Sequence, residues 1–274
     1  MSYETLIKRT YMRYAEVNGE RVEAGKGARG ICPHCHESVI AKCGSRKVHH
    51  WAHKSKKNCD LWWENKTEWH YSWQDCFPKD WQEVTFTSST GERHIADIHT
   101  PHGLTVEFQH SFINLEEQRS REAFYEDEAN GRKMIWVVNG TRLSKDVERF
   151  VDEVRFISKF YGNVFRCSPR MFNPNWGSST VPVFFDFGDV SRDEVTGKGL
   201  IWGLLPWKRS VRDREETFCV RLDKEGFISS ISSGSILNSL RDLKYQITFI
   251  PPQPDLLTYL LNRRRGRFRY KFYR

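Results

Sequence analysis

Two cysteines and two histidines at short spacing form the clearest metal-binding pattern in this sequence. Cys32-Pro-His-Cys35 is followed, after fourteen residues, by His50-Trp-Ala-His53. A Cys-x2-Cys turn lets two thiolates face one ion, and two downstream imidazoles complete the tetrahedron that Zn²⁺ takes in structural sites. The pattern therefore predicts a zinc site formed by Cys32, Cys35, His50 and His53.

The last two ligands of this site have alternatives. His49 and His53 have the commoner x3 spacing, whereas His50 and His53 are separated by two residues, and Cys43 and Cys59 are further candidates. A segment with so little apolar content is expected to fold poorly without the ion, so we expect the zinc to be structural rather than catalytic. In the alternative interpretation, the Cys-x2-Cys pair is two free thiols in a surface turn.

A second pattern consists of carboxylates. In HIADIHTPHGLTVEFQ, Asp97 precedes Glu107 by ten residues, and Gln109 follows two residues later. Alternate strand residues share a face, and a tight hairpin places Asp97 beside Glu107. Clustered carboxylates are costly to bury unpaired, so they are typical of sites for Mg²⁺ or Mn²⁺. Glu68, on the preceding predicted helix, is a candidate third carboxylate. The alternative is that Asp97 and Glu107 are ordinary exposed strand residues.

The elements that must position these residues are predicted in the order α-β-β-β-α-β-α. Trp69, Trp73 and Phe77 recur every four residues in a stretch without Gly or Pro, which is typical of an amphipathic helix. In chain order, the prediction is a helix over 64–77, strands over 81–89, 92–100 and 104–111, a helix over 113–130 that stops at Gly131, a strand over 133–140 and a helix over 144–162. An earlier hairpin is predicted to turn at Asn18-Gly19.

The predicted fold class is α/β, in three parts. The length of 274 residues suits one large domain or two small ones. We expect a small zinc-finger-like segment over 1–63, an α-β-β-β-α-β domain over 64–163 and an α+β region over 164–274. The last region mixes strand-like and weakly helical runs and contains no catalytic motif.

Taken together, the motifs resemble the CoiA-like competence proteins, with a core similar to the restriction-endonuclease-like PD-(D/E)XK nucleases. The resemblance covers roughly residues 15–140 and rests on GICPHC, HHWAHK, TEWHYSWQ, IADI, VEFQHS and REAFY. It implies a nuclease-like fold behind a zinc-finger-like segment and a role in DNA uptake, recombination or processing. By position, it implies a catalytic site formed by Glu68, Asp97, Glu107 and Gln109, with Asp97 and Glu107 holding Mg²⁺ or Mn²⁺.

Gln109 departs from the general nuclease pattern, which has a lysine at this point. An amide cannot place a positive charge beside the attacking water and can only orient it by hydrogen bonds. His110 follows on the opposite strand face, so it is a poor substitute for that lysine. Glutamine at this position is nevertheless similar to what CoiA-like sequences show.

The C-terminal twelve residues, RRRGRFRYKFYR, are basic and aromatic in alternation. Guanidinium groups bind phosphates and displace counterions, while aromatic faces stack on unpaired bases. This predicts nucleic-acid contacts from Arg263, Arg264, Arg265, Arg267, Arg269 and Lys271. The same alternation also fits a docked edge strand or a charged tail.

The composition favours a cytoplasmic protein. Basic ends around an acidic middle suggest a polyanionic partner, and the alternative is that these charges are only solvated surfaces. The net charge is +8, and the cysteine count of seven is odd, which argues against a closed disulfide framework. The N-terminus has no secretory signal pattern, and no apolar run is long enough for a membrane span. We expect the partner to be DNA, possibly single-stranded or branched.

Three functional hypotheses follow. The first is a divalent-metal-dependent nuclease that hydrolyses DNA phosphodiesters. The second is a non-catalytic nucleic-acid-binding module of a recombination or uptake complex. The third is a zinc-dependent scaffold for protein interactions.

Overall fold

The computed structural model describes residues 11–54, 59–60, 62, 66–88, 90–127, 131–188, 199–211 and 214–249. Within these ranges the chain forms two β-sheets and five α-helices, which confirms the predicted mixed α/β class. None of the helices in these ranges has the length and apolar character needed to span a lipid bilayer.

The N-terminal sheet has six strands that pair antiparallel, in the order β1-β6-β5-β4-β2-β3. The strands are β1 (Tyr11–Met12), β2 (Tyr14–Val17), β3 (Glu20–Glu23), β4 (Arg29–Ile31), β5 (Ser38–Lys42) and β6 (His50–His53). Asn18 and Gly19 have φ of 54° and 82°, the left-handed pair that a two-residue hairpin turn requires. The predicted hairpin is thereby confirmed.

The second sheet has nine strands, in the order β11-β12-β15-β14-β13-β10-β9-β8-β7. Its strands are β7 (Gln82–Thr87), β8 (Arg93–His99), β9 (Leu104–Gln109), β10 (Lys133–Asn139), β11 (Ser158–Tyr161), β12 (Val164–Cys167), β13 (Val183–Asp186), β14 (Leu200–Val211) and β15 (Arg214–Asp223). Strands β7 to β9 pair antiparallel, β10 is parallel to both β9 and β13, and the remaining pairs are antiparallel.

Five helices accompany this sheet. They are α1 (Glu68–Gln74), α2 (Leu115–Tyr125), α3 (Ser144–Glu153), α4 (Lys224–Ser232) and α5 (Ser235–Thr248). Helix α1 begins after Thr67, whose hydroxyl accepts from the His70 amide, and α2 begins after Asn114, whose side chain accepts from the Glu117 amide. The chain order from α1 to β10 is therefore the predicted α-β-β-β-α-β.

The sheet is covered on both faces, which explains the almost continuously apolar β10. Ile135 and Val137 pack with residues of α1, α4 and α5, whereas Met134, Trp136 and Val138 pack on the other face with residues of α2 and α3. A strand buried on both faces needs apolar residues at every position. This confirms the interpretation of residues 133–140 as a covered strand.

Three predicted helices are shorter than expected, and the first of them, α1, ends at Gln74 rather than at Phe77. Helix α2 ends at Tyr125 rather than before Gly131, and α3 ends at Glu153, followed by a 3₁₀ turn and then β11. Phe160 of β11 packs on Phe218 with ring centroids 4.8 Å apart, so tertiary pairing overrides the helical spacing of the apolar residues. The predicted domain boundary at residue 163 falls between β11 and β12, which pair in the same sheet.

Candidate functional site

The N-terminal sheet brings four metal-ligating side chains together. The ligand atoms of Cys32, Cys35, His53 and Cys59 all lie within 4.8 Å of one another. The Nε2 atom of His53 is 3.1 Å from the Cys35 sulfur, and the sulfurs of Cys32 and Cys59 are 3.9 Å apart. Three thiols and one imidazole are a donor set typical of structural zinc, so these residues fit the predicted ion.

A tight turn between β4 and β5 aims the first two sulfurs at the same point. The Cys32 amide donates to the Glu37 carbonyl at 2.9 Å, the His36 amide donates to the Cys32 carbonyl at 2.9 Å, and His36 has a left-handed φ of 60°. The His34 amide also points at the Cys32 sulfur, at 3.4 Å. Backbone hydrogen bonds and the left-handed His36 thus shape the Cys-x2-Cys turn.

The three thiols of this group share negative charge unequally. The pKa of Cys32 is lowered to about 3, chiefly because the Cys59 thiol donates a hydrogen bond to its sulfur. That same hydrogen bond raises the pKa of Cys59, and burial raises the pKa of Cys35. Since zinc binds thiolates, its binding must release protons from Cys35 and Cys59.

His50 does not belong to this group, and Cys59 takes its place. His50 and His53 are three residues apart on β6, so they project to opposite faces of the strand. The Nδ1 atom of His50 is 2.8 Å from the Val48 carbonyl oxygen, and its ring lies 4.0 Å from the Tyr11 ring, centroid to centroid. The structure corrects the predicted ligand set to Cys32, Cys35, His53 and Cys59.

The second sheet brings the two predicted carboxylates together on the β8–β9 hairpin. Asp97 and Glu107 are 4% and 3% exposed, so they are not ordinary exposed strand residues. The Asp97 amide donates to Glu107 Oε1 at 3.1 Å, and the Phe108 amide donates to Asp97 Oδ2 at 2.9 Å. The carboxylates are therefore held side by side by the backbone of the partner strand.

Each carboxylate of the pair has its own protein cation. The Lys66 ammonium donates to Asp97 Oδ1, and Arg121 Nη1 of α2 donates to Glu107 Oε2 at 3.1 Å. Arg121 is itself positioned by Glu117, whose Oε1 is 2.5 Å from its Nη2. Neither cation was among the residues predicted from the sequence.

These partners separate the acidities of the two carboxyls. Burial pushes the pKa of Asp97 upward, but the Lys66 charge, then His70 and the hydrogen bonds outweigh it, so that pKa is lowered. Burial and the neighbouring Asp97 charge raise the pKa of Glu107 to about 8, against the opposing effect of Arg121. Asp97 is therefore the more acidic member of the pair and Glu107 the less acidic.

Of the remaining predicted catalytic residues, Gln109 lies two residues from Glu107 on β9, whereas Glu68 lies on α1. Glu68 is exposed at the first position of α1, and the amide nitrogen of Gln109 donates to the Ser111 carbonyl at 3.0 Å. The side chain of α1 that reaches β9 is His70, whose Nε2 is 2.9 Å from the Phe108 carbonyl oxygen.

A third carboxylate does lie near Asp97, and it belongs to Glu83. Residue 83 lies between residues 82 and 84, which pair with residues 98 and 96 of β8, and its φ is 46°, in the left-handed region. Its two carboxylate oxygens each accept from the Arg13 amide at 3.0 Å, and one also accepts from the Tyr14 amide at 3.3 Å. Glu83 of β7 therefore connects the second sheet to the N-terminal sheet by hydrogen bonds.

Two cavities adjoin this region. A small one of about 30 Å³ is lined by Asp97, Glu107, Glu83 and Arg121, among others. A larger one of about 860 Å³ is lined by Glu68 and the loop between β5 and β6. Lys66 and Tyr11 line both cavities. The predicted nucleic-acid-binding residues from Arg263 to Lys271 lie outside the described residues.

Comparison with known proteins gives one match. No curated protein and no solved structure matches the chain. Residues 16–61 match the family model described as Competence protein CoiA, N-terminal domain. The predicted resemblance to the CoiA-like family is therefore confirmed over residues 16–61, the segment that contains all four residues of the Cys/His group.

Proposed function

We propose that this chain is a competence-related DNA-processing protein in which a zinc-stabilised N-terminal sheet accompanies a metal-dependent nuclease site. The observation that carries the proposal is the buried Asp97–Glu107 pair on adjacent antiparallel strands. The chain order α1-β7-β8-β9-α2-β10 and the parallel pairing of β9 with β10 support a PD-(D/E)XK-like core around that pair. The competence-related role is supported by the match over residues 16–61.

Asp97 and Glu107 are the residues that would hold Mg²⁺ or Mn²⁺. Carboxylate oxygens are the ligands that these hard cations take, so the donor type fits. The Oδ1 atom of Asp97 accepts from Lys66, however, so this ammonium must leave Asp97 before an ion can reach it. When bound, the cation neutralises charge on the scissile phosphate and lowers the pKa of an attacking water.

Lys66 supplies the positive charge that Gln109 cannot. It lies in the segment before α1, far in sequence from the position where the general nuclease pattern has its lysine. Its ammonium is nevertheless beside Asp97, and its pKa is raised, because the charges of Asp97, Glu83 and Glu107 outweigh the cost of burial. We expect it to stay protonated and to bind a phosphate oxygen next to the pair.

A cleavage assay of the purified, zinc-loaded chain tests this function. Labelled single-stranded, duplex and branched DNA are incubated with Mg²⁺ or Mn²⁺, and in parallel without added divalent metal. Metal-dependent cleavage is expected for the unchanged chain and is expected to fall to background in Asp97→Asn and Glu107→Gln. Glu116→Gln, at an exposed position of α2, is the matched control. Cleavage retained in folded Asp97→Asn would refute the assignment.

A second candidate is a non-catalytic nucleic-acid-binding module. It is favoured by the two protein cations, since Lys66 and Arg121 already compensate the carboxylates. In that case DNA binding would be unaffected by Asp97→Asn and by added Mg²⁺, and no preparation would cleave DNA. The same assay, read together with binding, separates the two functions.

A further inference from the structure

The large cavity of about 860 Å³ lies between the two sheets. One wall is the loop between β5 and β6, residues 44–49, and the opposite wall is the segment 66–69 at the start of α1. His110, directly after β9, closes one side. The cavity thus lies between a loop of the N-terminal sheet and the start of α1, the helix that precedes the strands of the carboxylate pair.

The charges that line this cavity are mainly positive. Arg46, Lys47 and Lys66 line it. Among the described residues that line the cavity, Glu68 is the one with an acidic side chain. Arg46 and Lys47 are exposed, and Lys47 Nζ lies 5.1 Å from the centroid of the Tyr11 ring. A concave surface with this balance of charge attracts a polyanion such as a phosphate backbone.

Aromatic faces line the same cavity. Trp69 is half-buried, its indole nitrogen donates to Asp186 at 3.2 Å, and its ring lies 6.2 Å from the His110 ring, centroid to centroid. The hydrogen bond to Asp186 fixes the indole plane. A flat ring held beside cationic side chains is the combination that binds unpaired bases, because every base has a face that can stack.

The cavity is large enough for part of a nucleic-acid strand. Its volume of about 860 Å³ lies within the range of roughly 300–1,000 Å³ that pockets for small ligands have. A few nucleotides of one strand therefore fit it.

We propose that this cavity binds single-stranded nucleic acid, with phosphates on Arg46 and Lys47 and a base against Trp69. The proposal rests on the proposed function for the identity of its ligand as a substrate strand. Lys66 lines both this cavity and the small cavity of the carboxylate pair, so a strand bound here places a phosphate next to Lys66. The N-terminal sheet would then contribute to binding of the substrate strand, and the carboxylate pair of the second sheet would contribute to its hydrolysis.

Fluorescence anisotropy of a short labelled oligothymidylate on the full chain, without added divalent metal, tests the site. Loss of two phosphate contacts on a single strand weakens binding about 25-fold at about 0.1 M salt, since each contact contributes a slope of about 0.7 in the logarithm of salt concentration. We expect at least that loss in the double variant Arg46→Glu/Lys47→Glu. The matched control, Arg241→Glu/Lys244→Glu on exposed positions of α5, makes the same change of charge and is expected to bind normally. Equal weakening in both double variants would overturn the proposal.

Photo-crosslinking with a thiothymidine-substituted strand locates the contact. Crosslinks to peptides that contain residues 44–50, Trp69 or His110 are expected, and crosslinks confined to other peptides would overturn the proposal.

Duplex DNA that binds as tightly as the single strand, or a polyglutamate peptide that competes as well as an oligonucleotide of equal charge, would also overturn it. Oligouridylate is included beside oligothymidylate, and saturable binding of either strand at this cavity supports it. The binding and crosslinking assays measure no cleavage, so they test this site even if the chain is not a nuclease.

Discussion

The two sheets of this protein place charged and metal-ligating groups in opposite ways. In the N-terminal sheet, Cys32, Cys35, His53 and Cys59 converge on one point, and no cationic side chain of the described chain is among the groups that shift their acidities. In the second sheet, Asp97 and Glu107 lie side by side on β8 and β9, and Lys66 and Arg121 form ion pairs with them.

This difference suits the two groups to different uses of a metal ion. Three thiols within 4.8 Å of one another gain from a cation that lets all of them ionise. A buried carboxylate with its own ammonium or guanidinium is already neutralised, and an incoming cation must displace a protein group. The first arrangement is typical of structural metals, and the second suits a metal that arrives with the substrate.

The largest expected effect comes from removing one ligand of the Cys/His group in the N-terminal sheet. Cys59→Ser removes a ligand from the Cys/His group, and because a structural zinc site contributes about 10–16 kcal/mol to folding, bound zinc and the thermal transition of the N-terminal sheet should both be lost. Metal analysis and thermal unfolding measure this. His50→Gln should keep its zinc, as should Cys76→Ser at an exposed position. Loss of zinc in His50→Gln with retention in Cys59→Ser would restore the ligand set predicted from sequence.

A smaller effect is expected from removing the protein cation of the second site. Lys66→Met leaves the buried Asp97 carboxylate without its partner, which typically costs about 3–5 kcal/mol of unfolding free energy. Mg²⁺ or Mn²⁺ should restore much of this loss in the variant and stabilise the unchanged chain less, because in the variant the ion no longer competes with an ammonium. Denaturant titrations with and without the ion measure both effects. Lys145→Met, at an exposed position, is the control. A variant that is destabilised but insensitive to either ion would argue against a cation site at this pair.

The smallest effect is a pH dependence of stability in the absence of divalent metal. The pKa of Glu107 is raised from 4.5 to about 8 by burial and by the charge of Asp97, so the folded chain keeps a proton that the unfolded chain releases. The resulting stability is complete below about pH 4.5 and is lost as the pH rises through about 8. The unfolding free energy should therefore fall in this window relative to Glu107→Gln, by at most about 1.4 kcal/mol per pH unit. Parallel curves for the two proteins would contradict the raised pKa.

Local patterns in the sequence predict the parts of each group that lie close together in the chain. The Cys32–Cys35 turn and the Asp97–Glu107 hairpin depend on neighbours in sequence, and the spacing of turn and strand residues determines them. The partners depend on contacts between distant segments. Cys59 reaches the cluster from beyond β6, and Arg121 reaches Glu107 across the face of the second sheet.

The errors follow from the same distinction. His50 has a plausible spacing from His53, but strand alternation points it away, and this could have been predicted had residues 50–53 been recognised as a strand. The segment 158–161 continues the apolar spacing of α3, so only its pairing with β12 identifies it as a strand. Glu68 has the right position in the chain to join the carboxylates, yet it begins α1 on the exposed side, and no local signal distinguishes it from His70.

Glu83 links the two sheets more directly than any sequence pattern suggests. It accepts hydrogen bonds from the Arg13 and Tyr14 amides, and it lines the same small cavity as Asp97 with a left-handed φ of 46°. A ligand that binds only the folded state stabilises every part of the chain that unfolds together with its site. If Glu83 makes the two sheets one cooperative unit, the free zinc concentration sets how much of the chain has an assembled carboxylate pair. A low zinc concentration would then reduce the fraction of chains with an assembled carboxylate pair, although zinc binds no residue of the second sheet.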